Sequence, residues 1–234
     1  CPDAAEVLEK KQYLAKKSVW IFGGDGWAYD IGFGGLDHVL ASGHNVNVMV
    51  FDTEMYSNTG GQASKASNIG EVCQFAAAGK EMSKKSLAEI AMSYGYVYVA
   101  QIALGANPNQ AVKCLAEAEA YDGPSLIIGY APCELHGIAK GGMNHCQDEM
   151  KKAVKAGYWN LFSFNPALKA EGKNPFTLTS KPGDGTYQEF LNNETRYSRL
   201  TRSFPERAAK LFAASEEAAK ARYEHLLRLV ELYK

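Results

Sequence analysis

Two polar loops, each directly after an apolar run, most constrain what this chain can fold into. The run at residues 18–22 precedes Gly23-Gly24-Asp25-Gly26, and the run at residues 46–51 precedes the loop at residues 52–62. A helical pattern at residues 27–42 lies between the two loops. Because both runs have the length of a buried strand, the sequence predicts a β-α-β unit with two parallel strands.

The ends of these two strands are predicted to form a ligand-binding crevice. Ligands of open parallel sheets bind outside the carboxyl ends of the strands, so Asp25 and the Asp52-Thr53 pair should face one crevice. The glycines beside Asp25 let backbone N–H groups approach a bulky anion. A carboxylate with hydroxyl and carbonyl oxygens suits Mg²⁺, which is often shared with phosphates. The alternative is that Asp25 is the N-cap of the following helix, a role that can coincide with metal binding.

The order of the other apolar runs predicts an α/β protein with a doubly wound parallel sheet. Runs of strand length at residues 97–104 and 125–130 are joined by a predicted helix at 108–121, and another helix is predicted at 86–94. Strands that alternate with helices favour a parallel sheet covered on both faces. The alternating stretch at 158–164 is predicted to be one more strand, at an edge of the sheet.

Four further stretches complete this part of the chain. Small residues predict a helix at 71–78, and the lysine-rich stretch at 80–85 is predicted to be a solvated loop. A loop with glycine and lysine at 137–143 is expected to precede a helix at 147–156.

The chain is predicted to divide at residue 165. Residues 1–165 would form the α/β domain, with 1–17 as a connector helix, and residues 166–234 would form a C-terminal arm. The arm is predicted to be an extended segment followed by a long helix with Pro205 in its first turn. The apolar stripe of that helix is broken, which favours packing on the same domain or on a partner subunit.

Composition is that of an ordinary globular protein. The 234 residues are 46% hydrophobic, and a net charge of −1 gives no reason to expect a nucleic acid or an anionic membrane as partner. Since no apolar run could span a membrane and no signal peptide is visible, we expect a cytoplasmic protein. The five cysteines should be reduced. A start at Cys1 instead of Met predicts a fragment or a processed product.

The amino-acid sequences of both loops are similar to those of a known enzyme family. Gly-Asp-Gly-Trp-Ala-Tyr-Asp-Ile-Gly-Phe-Gly-Gly-Leu-Asp at 24–37 and Asp-Thr-Glu-Met-Tyr-Ser-Asn-Thr-Gly-Gly-Gln at 52–62 resemble pyruvate:ferredoxin (flavodoxin) oxidoreductases. The likeness continues at residues 94–101, 130–133 and 172–176 and so covers most of the chain. It implies a thiamine-diphosphate-binding fold in the C-terminal portion of a much longer enzyme.

The resemblance implies a Mg²⁺ site formed by Asp25, Thr53 and Met55. Thiamine-dependent enzymes usually offer an Asn side chain at the second metal position. In the family resembled here, a Thr hydroxyl and the backbone carbonyl two residues later serve instead, which implies the Thr53 side chain and the Met55 carbonyl. The residues that the resemblance places around thiamine diphosphate are Gly24, Asp25, Gly26, Trp27, Thr53, Met55, Tyr56, Ser57, Asn58 and Thr59.

Two further residues have roles implied by the resemblance. Asn58 would be the catalytic residue, nearest the thiazolium and the substrate; alternatively, it only forms a turn before Gly60-Gly61. Cys133 would be the fourth thiolate of a [4Fe–4S] cluster. Because a cubane cluster needs four thiolates and no Cys-x-x-Cys occurs in this chain, the other three ligands are expected upstream of it.

A zinc site is the alternative for the same region. Cys133 and His136, with His145 and Cys146, could supply zinc ligands. The adjacent positions of His145 and Cys146 do not match the usual spacing of a structural site, which disfavours zinc.

The activity implied by the resemblance is the oxidative decarboxylation of pyruvate to acetyl-coenzyme A and CO₂. Electrons would pass through [4Fe–4S] clusters to ferredoxin or flavodoxin, and the enzyme would be a homodimer. The glutamate that activates the aminopyrimidine ring lies in another domain of such enzymes, so the chain alone is expected to be inactive. The alternatives are a non-redox thiamine-dependent 2-oxoacid decarboxylase or synthase, and a non-catalytic α/β assembly module.

Overall fold

A six-stranded sheet forms the centre of the computed structural model, which describes residues 2–15 and 17–234. The strands are β1 (Trp20–Gly24), β2 (Asn47–Asp52), β3 (Met55–Tyr56), β4 (Gln62–Ala63), β5 (Tyr98–Ile102), β6 (Ser125–Tyr130), β7 (Phe162–Phe164) and β8 (Phe176–Leu178). β3 and β4 pair only with each other, and the others form the sheet in the order β1-β2-β6-β5-β7-β8. Strands β1, β2, β6 and β5 are parallel to one another. Strand β7 runs antiparallel to β5, and β8 runs antiparallel to β7.

Helices cover both faces of this sheet. In the described residues the α-helices are α1 (Pro2–Glu9), α2 (Phe33–Ala41), α3 (Leu87–Met92), α4 (Pro108–Ala120), α5 (Cys146–Lys155), α6 (Tyr187–Asn192), α7 (Thr195–Ser203) and α8 (Pro205–Leu232). Alternate residues of β6 point to opposite faces: Leu126 and Ile128 pack with α2 and α3, and Ile127 packs with α4. The prediction of a doubly wound, mostly parallel α/β sheet is confirmed.

The elements with the strongest sequence signals lie where the sequence predicts them. The predicted strand at 125–130 is reproduced, and the predicted helix at 108–121 becomes α4, which Asn107 caps by accepting a hydrogen bond from the Gln110 amide. Ser86 caps α3 in the same way through Glu89. The predicted helix at 27–42 is divided into a π-helical turn, Gly26–Ile31, and α2.

The predicted helix at residues 71–78 is wrong. The segment is irregular and is tied to the loop before β4: the Gln74 amide donates to the Gly61 carbonyl, and the Ala63 amide donates to the Gln74 carbonyl. Phe75 has φ +67°, a backbone conformation outside any right-handed helix.

The edge of the sheet also differs from the prediction. In the stretch predicted as a strand, residues 158–164, only β7 is a strand, and β7 lies inside the sheet between β5 and β8. The edge strand β8 comes from a segment that was expected to be merely extended. Its pairing with β7 gives partners to backbone groups that would otherwise be exposed at the edge.

The C-terminal helices pack against the same core as the sheet. α8 begins at Pro205, as predicted, and buries Ala208, Leu211 and Phe212 in that core. α7 brings a fully buried arginine, Arg196, into the interior. The division of the chain at residue 165 stays a prediction.

The predicted connector helix at residues 1–17 is shorter than expected. α1 ends at Glu9, a single 3₁₀ turn (Lys11–Tyr13) follows, and Cys1 and Lys16 lie outside the described residues. Among the helices described, none is long and apolar enough to cross a membrane.

Candidate functional site

The loops after β1 and β2 meet around the Asp25 carboxylate, which is 1% exposed. Asp25 Oδ1 accepts hydrogen bonds from the Thr53 amide (3.2 Å) and hydroxyl (2.8 Å), and Oδ2 accepts one from the Ser64 hydroxyl at 2.7 Å. The Thr53 hydroxyl oxygen also lies 3.0 Å from the Met55 carbonyl oxygen. The structure therefore brings together the three residues predicted to bind a metal.

The short oxygen–oxygen distances in this cluster would need more hydroxyl hydrogens than the cluster contains. Thr53 has one hydroxyl hydrogen, which can satisfy either Asp25 Oδ1 or the Met55 carbonyl, but not both. The Ser57 hydroxyl donates to Thr53 Oγ1 at 2.8 Å and so uses a lone pair without adding a donor toward the other two oxygens. A cation among these oxygens would replace the missing hydrogen, and an all-oxygen set suits Mg²⁺.

Burial makes Asp25 an unusual carboxylate. Removal from water and then the nearby charge of Asp52 raise its pKa to about 6, although hydrogen bonds from Ser64 and Thr53 oppose the rise. Its three hydrogen-bond donors are neutral groups. A bound cation would stabilise the ionised form and lower this pKa again.

An open pocket of about 370 Å³ lies beside this cluster. Phe51 lines it together with all ten residues that were predicted to surround the cofactor: Gly24, Asp25, Gly26, Trp27, Thr53, Met55, Tyr56, Ser57, Asn58 and Thr59. Asn58 is exposed and lies in the turn between β3 and β4. Its catalytic role stays a prediction, because both a turn former and a ligand contact fit this position.

Neither of the two glycines beside Asp25 has a positive φ, so neither is there for an unusual backbone angle. A Cβ atom on Gly26 would lie 2.5 Å from the Tyr56 ring, so only glycine fits there. A Cβ on Gly24 would meet only the Phe51 carbonyl, at 4.0 Å, and the space beside it is open. The Asp25 side chain forms no cap hydrogen bond to the following turn, so the capping alternative is wrong.

Asp52 does not face the crevice, contrary to the prediction. It is 0% exposed and points to the interior, where it accepts a hydrogen bond from the Tyr29 hydroxyl at 2.7 Å and pairs with Lys84 at 2.8 Å. Burial raises the pKa of Asp52, and the positive charge of Lys84 opposes this rise. Thr53 alone of the Asp52-Thr53 pair lies at the pocket, because adjacent residues of an extended chain point in opposite directions.

Glu54 also points inward and carries two cationic partners. Its carboxylate lies 3.1 Å from Lys84 Nζ and 2.9 Å from Arg196 Nη1, and it accepts hydrogen bonds from Asn68 and Tyr158. Burial alone would raise the pKa of Glu54, but Lys84 and Arg196 lower it to about 2. The prediction that residues 80–85 form a solvated loop is wrong for Lys84, whose side chain is 12% exposed.

Arg196 joins three buried carboxylates. Its guanidinium lies 2.6 Å from Glu194, 2.9 Å from Glu54 and 3.3 Å from Glu71. The pKa of Glu71 is raised to about 7, first by burial, and Arg196 only partly offsets the rise. The pKa of Glu194 is lowered, because Arg196 and His136 together outweigh its burial.

Cys133 follows β6 at the same end of the sheet as the pocket. Its half-buried thiol accepts a hydrogen bond from the Leu135 amide at 3.4 Å. The buried His136 side chain contacts the loop after β2 instead: its Nε2 donates a hydrogen bond to the Thr53 carbonyl at 2.8 Å. Within residues 2–15 and 17–234, no three His, Cys, Asp or Glu side chains are close enough to hold a metal ion, so the structure does not bring the four residues of the zinc alternative together.

Sequence reasoning missed three residues of this region, Ser64, Lys84 and Arg196, and it considered His136 only as a zinc ligand. His136 had one usable signal, its position three residues after Cys133. Lys84 and Arg196 had none, since surface lysines and arginines are common and their carboxylate partners are distant in sequence.

Similarity to known proteins agrees with this geometry. The family described as "Thiamine pyrophosphate enzyme, C-terminal TPP binding domain" matches residues 4–128, more than half of the chain. The pyruvate:ferredoxin oxidoreductase of Moorella thermoacetica is 59% identical over 97% of this chain and 19% of its own length. The pyruvate-flavodoxin oxidoreductase of Klebsiella pneumoniae is 52% identical over 97% of this chain, again 19% of its own length.

A third relative is named for a different electron acceptor. The mitochondrial pyruvate dehydrogenase [NADP(+)] of Euglena gracilis is 51% identical over 98% of this chain and 13% of its own length. Among solved structures, a 2-oxoglutarate:ferredoxin oxidoreductase from Magnetococcus marinus is 23% identical over 55% of this chain and 44% of its own, with a TM-score of 0.48, too slight a likeness to carry an argument. The chain spans about a fifth or less of its curated relatives. The resemblance to pyruvate oxidoreductases is confirmed, and the chain belongs to the family of C-terminal, thiamine-pyrophosphate-binding domains of thiamine pyrophosphate enzymes.

Proposed function

We propose that this chain binds the diphosphate end of thiamine diphosphate through Mg²⁺, as one part of a pyruvate oxidoreductase. The observation that carries the proposal is the hydrogen-poor oxygen cluster of Asp25, Thr53 and Met55 at a pocket. Membership of a thiamine-pyrophosphate-binding family supports it.

Each residue of the site has a definite task in this proposal. Asp25 Oδ1, Thr53 Oγ1 and the Met55 carbonyl would hold the metal, while the Ser64 hydroxyl keeps Asp25 Oδ2 in place. Asp25 and a diphosphate repel each other, so the chain should bind the cofactor only when a divalent cation lies between them. Gly24 leaves the backbone open to the phosphate groups. When bound, thiamine diphosphate supplies the carbanion that attacks a 2-oxoacid and accepts the electrons released by decarboxylation.

Calorimetry tests this binding step. Thiamine diphosphate is titrated into the purified chain with Mg²⁺ and, separately, with a chelator; thiamine monophosphate is the matched control ligand. We expect binding heat only with Mg²⁺ and the diphosphate. The affinity should be modest, because ordering the loop at residues 54–64 costs conformational entropy. Absence of heat under all conditions would favour a non-catalytic module.

The complete enzyme is proposed to oxidise and decarboxylate pyruvate, forming acetyl-coenzyme A. Cys133 is proposed as one ligand of a [4Fe–4S] cluster whose other ligands lie outside this chain. A backbone N–H donating to its sulfur is the kind of contact that adjusts a cluster's reduction potential. Relatives named for ferredoxin, flavodoxin and NADP⁺ are 59%, 52% and 51% identical to this chain. We therefore assign the choice of acceptor, ferredoxin or flavodoxin, to other parts of the enzyme.

The chain alone should show no catalytic activity. It offers one candidate cluster ligand and no residue matched to the family's activating glutamate. The assay supplies pyruvate, coenzyme A, Mg²⁺, thiamine diphosphate and a viologen dye, and we expect no dye reduction. Dye reduction above background would show that this chain already contains a full active site.

Asn58 is proposed to contact the reacting centre. In the complete enzyme, Asn58→Ala should lower kcat at least tenfold and leave the affinity for thiamine diphosphate close to normal. A parallel loss of cofactor affinity would show that Asn58 shapes the loop.

A further inference from the structure

Glu54 has a backbone conformation that its residue type rarely adopts. It lies between Thr53 and Met55, two of the proposed metal ligands, and its φ is +62°. Residues with a Cβ atom seldom adopt a positive φ and keep one only where the surroundings enforce it. This turn leaves the Thr53 hydroxyl 3.0 Å from the Met55 carbonyl oxygen, while the Glu54 side chain points inward.

The inner side of this turn is held by buried groups. The Glu54 carboxylate, 0% exposed, is bound by the cations of Lys84 and Arg196 and by the Asn68 and Tyr158 side chains. The Ser67 hydroxyl donates to the Glu54 carbonyl. His136 holds the preceding carbonyl, that of Thr53.

Arg196 is the most distant of these anchors in the sequence. It comes from α7, and the Glu194 carboxylate orients its guanidinium through a contact of 2.6 Å to Nε. Its Nη1 lies 2.9 Å from Glu54 and 3.3 Å from Glu71. An arginine with several buried carboxylate partners has little freedom to move, so it offers Glu54 a fixed point of attachment.

We propose that Arg196 is a positioning residue for the metal site: through Glu54 it holds the segment from Thr53 to Met55 in the conformation that binds the cation. The inference rests on the proposed function, since it presupposes that Asp25, Thr53 and Met55 hold a metal. It assigns to the C-terminal helices a part in binding at a site that they do not touch.

The test measures metal affinity in folded protein. Mn²⁺, a paramagnetic substitute for Mg²⁺, is titrated into the purified chain with thiamine diphosphate present, and bound Mn²⁺ is counted by electron paramagnetic resonance. The variants are Glu54→Gln, Glu54→Gly, Arg196→Lys and Arg196→Met. Arg207→Met is the matched control, because Arg207 pairs with Glu81 and the Ala78 carbonyl, away from the turn. Each titration is made well below the variant's melting temperature.

We expect Glu54→Gln and Arg196→Met to weaken Mn²⁺ binding at least tenfold, with an altered spectrum of the bound ion. Arg196→Lys should recover part of the loss, since lysine keeps the charge but not the fork of donors. Glu54→Gly distinguishes the effect of the side-chain contact from that of the backbone conformation. Glycine adopts a positive φ readily, but it has no side chain that could contact Arg196. This variant should also bind Mn²⁺ at least tenfold more weakly.

Two results would overturn the inference, and they are distinguishable. If the unaltered chain binds Mn²⁺ with the cofactor and the folded Glu54 and Arg196 variants bind it equally well, Arg196 has no positioning role and the proposed function stands. If the unaltered chain binds none, the proposed function fails and the inference with it. Should Arg196→Met not fold, Glu54→Gln decides, since it keeps the size of the side chain and one oxygen that can accept a hydrogen bond from Asn68 or Tyr158.

Discussion

The two sides of the segment at residues 52–55 differ in how their polar groups are satisfied. On the pocket side, Asp25, Thr53 and Met55 present oxygens that share too few hydrogens. On the inner side, the carboxylates of Asp52 and Glu54 lie within 3.1 Å of the Lys84 ammonium. The oxygens on the pocket side are therefore suited to bind a cation, whereas the carboxylates on the inner side are paired with a cation of the protein.

This difference separates binding from stability. Burying a carboxylate costs several kcal/mol unless a cation and hydrogen bonds compensate it. Glu54 receives that compensation from protein groups, and its pKa falls to about 2. Asp25 receives only neutral hydrogen bonds, and its pKa rises to about 6. A substitution on the inner side should therefore act first on folding, and on ligand affinity only through the position of the turn at Glu54, whereas one on the pocket side should act directly on ligand affinity.

The largest effect is expected on the inner side, from Lys84→Met. The variant leaves Asp52 and Glu54 without their shared cation in a buried place, so the free energy of unfolding should fall by about 3–5 kcal/mol. Denaturant titration at pH 7 measures this loss. Lys113→Met is the control, since Lys113 is 71% exposed, and its effect should stay within about 0.5 kcal/mol. An equally small effect for Lys84→Met would contradict a stabilising inner side.

Asp25→Asn tests the pocket side. The amide keeps the size of the side chain but removes the only charge among the proposed ligands, so affinity for Mg²⁺ with thiamine diphosphate should fall at least about 100-fold. Unfolding at pH 8 should not become easier, because a buried charge with neutral partners is lost. Calorimetry and denaturant titration on the same samples compare the two effects. Normal binding by the variant would show that the metal site lies elsewhere.

The predictable part of this molecule is the part that depends on local pattern. Continuous apolar runs identified β1, β2, β5 and β6. The central strand β6 is buried on both faces and needs apolar residues throughout, whereas the edge strand β1 leaves Phe22 62% exposed. The pocket-lining residues followed from the ends of two such strands and from the family resemblance. Alternation at the end of β2 also contained an unused signal: residue 52 and residue 53 point to opposite sides, so only one of the two can face Asp25.

The unpredictable part depends on contacts between distant residues. Small residues suggested a helix at 71–78, yet the segment is irregular, and the buried carboxylate of Glu71 at its start pairs with Arg196 of α7. Lys84 sits in a lysine-rich stretch that is typical of solvated loops, and only its carboxylate partners distinguish it from its neighbours. No local pattern identifies such partners, because each is an ordinary surface residue type.

The pH dependence of stability sharpens the comparison at Asp25. Its pKa in the folded chain, about 6, lies above the unfolded value of 3.8. The protonated form is therefore favoured by folding, and the stability that this group contributes below about pH 4 is lost as the pH rises through 6. The loss should be at most roughly 2–3 kcal/mol without metal.

Asp25→Asn is also the control for this pH dependence. Glu71, with a pKa of about 7, titrates in both proteins, so the difference between their unfolding free energies isolates Asp25. That difference should change between pH 4 and pH 7. A constant difference across this range would mean that Asp25 is no more difficult to ionise in the folded chain than in the unfolded one.

Thr53→Val should have the smallest effect, because it removes one neutral ligand and leaves Asp25 and the Met55 carbonyl in place. Water can occupy the vacated position on Mg²⁺, which commonly keeps several waters. The affinity for Mg²⁺ with thiamine diphosphate should therefore fall only about three- to tenfold. Valine has nearly the shape of threonine, so the unfolding free energy should change by no more than about 1 kcal/mol.

Thr53→Ser decides whether the hydroxyl itself is responsible. Serine restores the oxygen and loses only a methyl group, so it should recover most of the affinity that Thr53→Val loses. Calorimetry with Mg²⁺ and thiamine diphosphate compares the two variants with the unaltered chain. If serine binds as weakly as valine, the threonine methyl group and its packing matter more than its oxygen. Thr53 would then act as the inner-side residues do: its side chain would hold the loop in place and would not bind the metal.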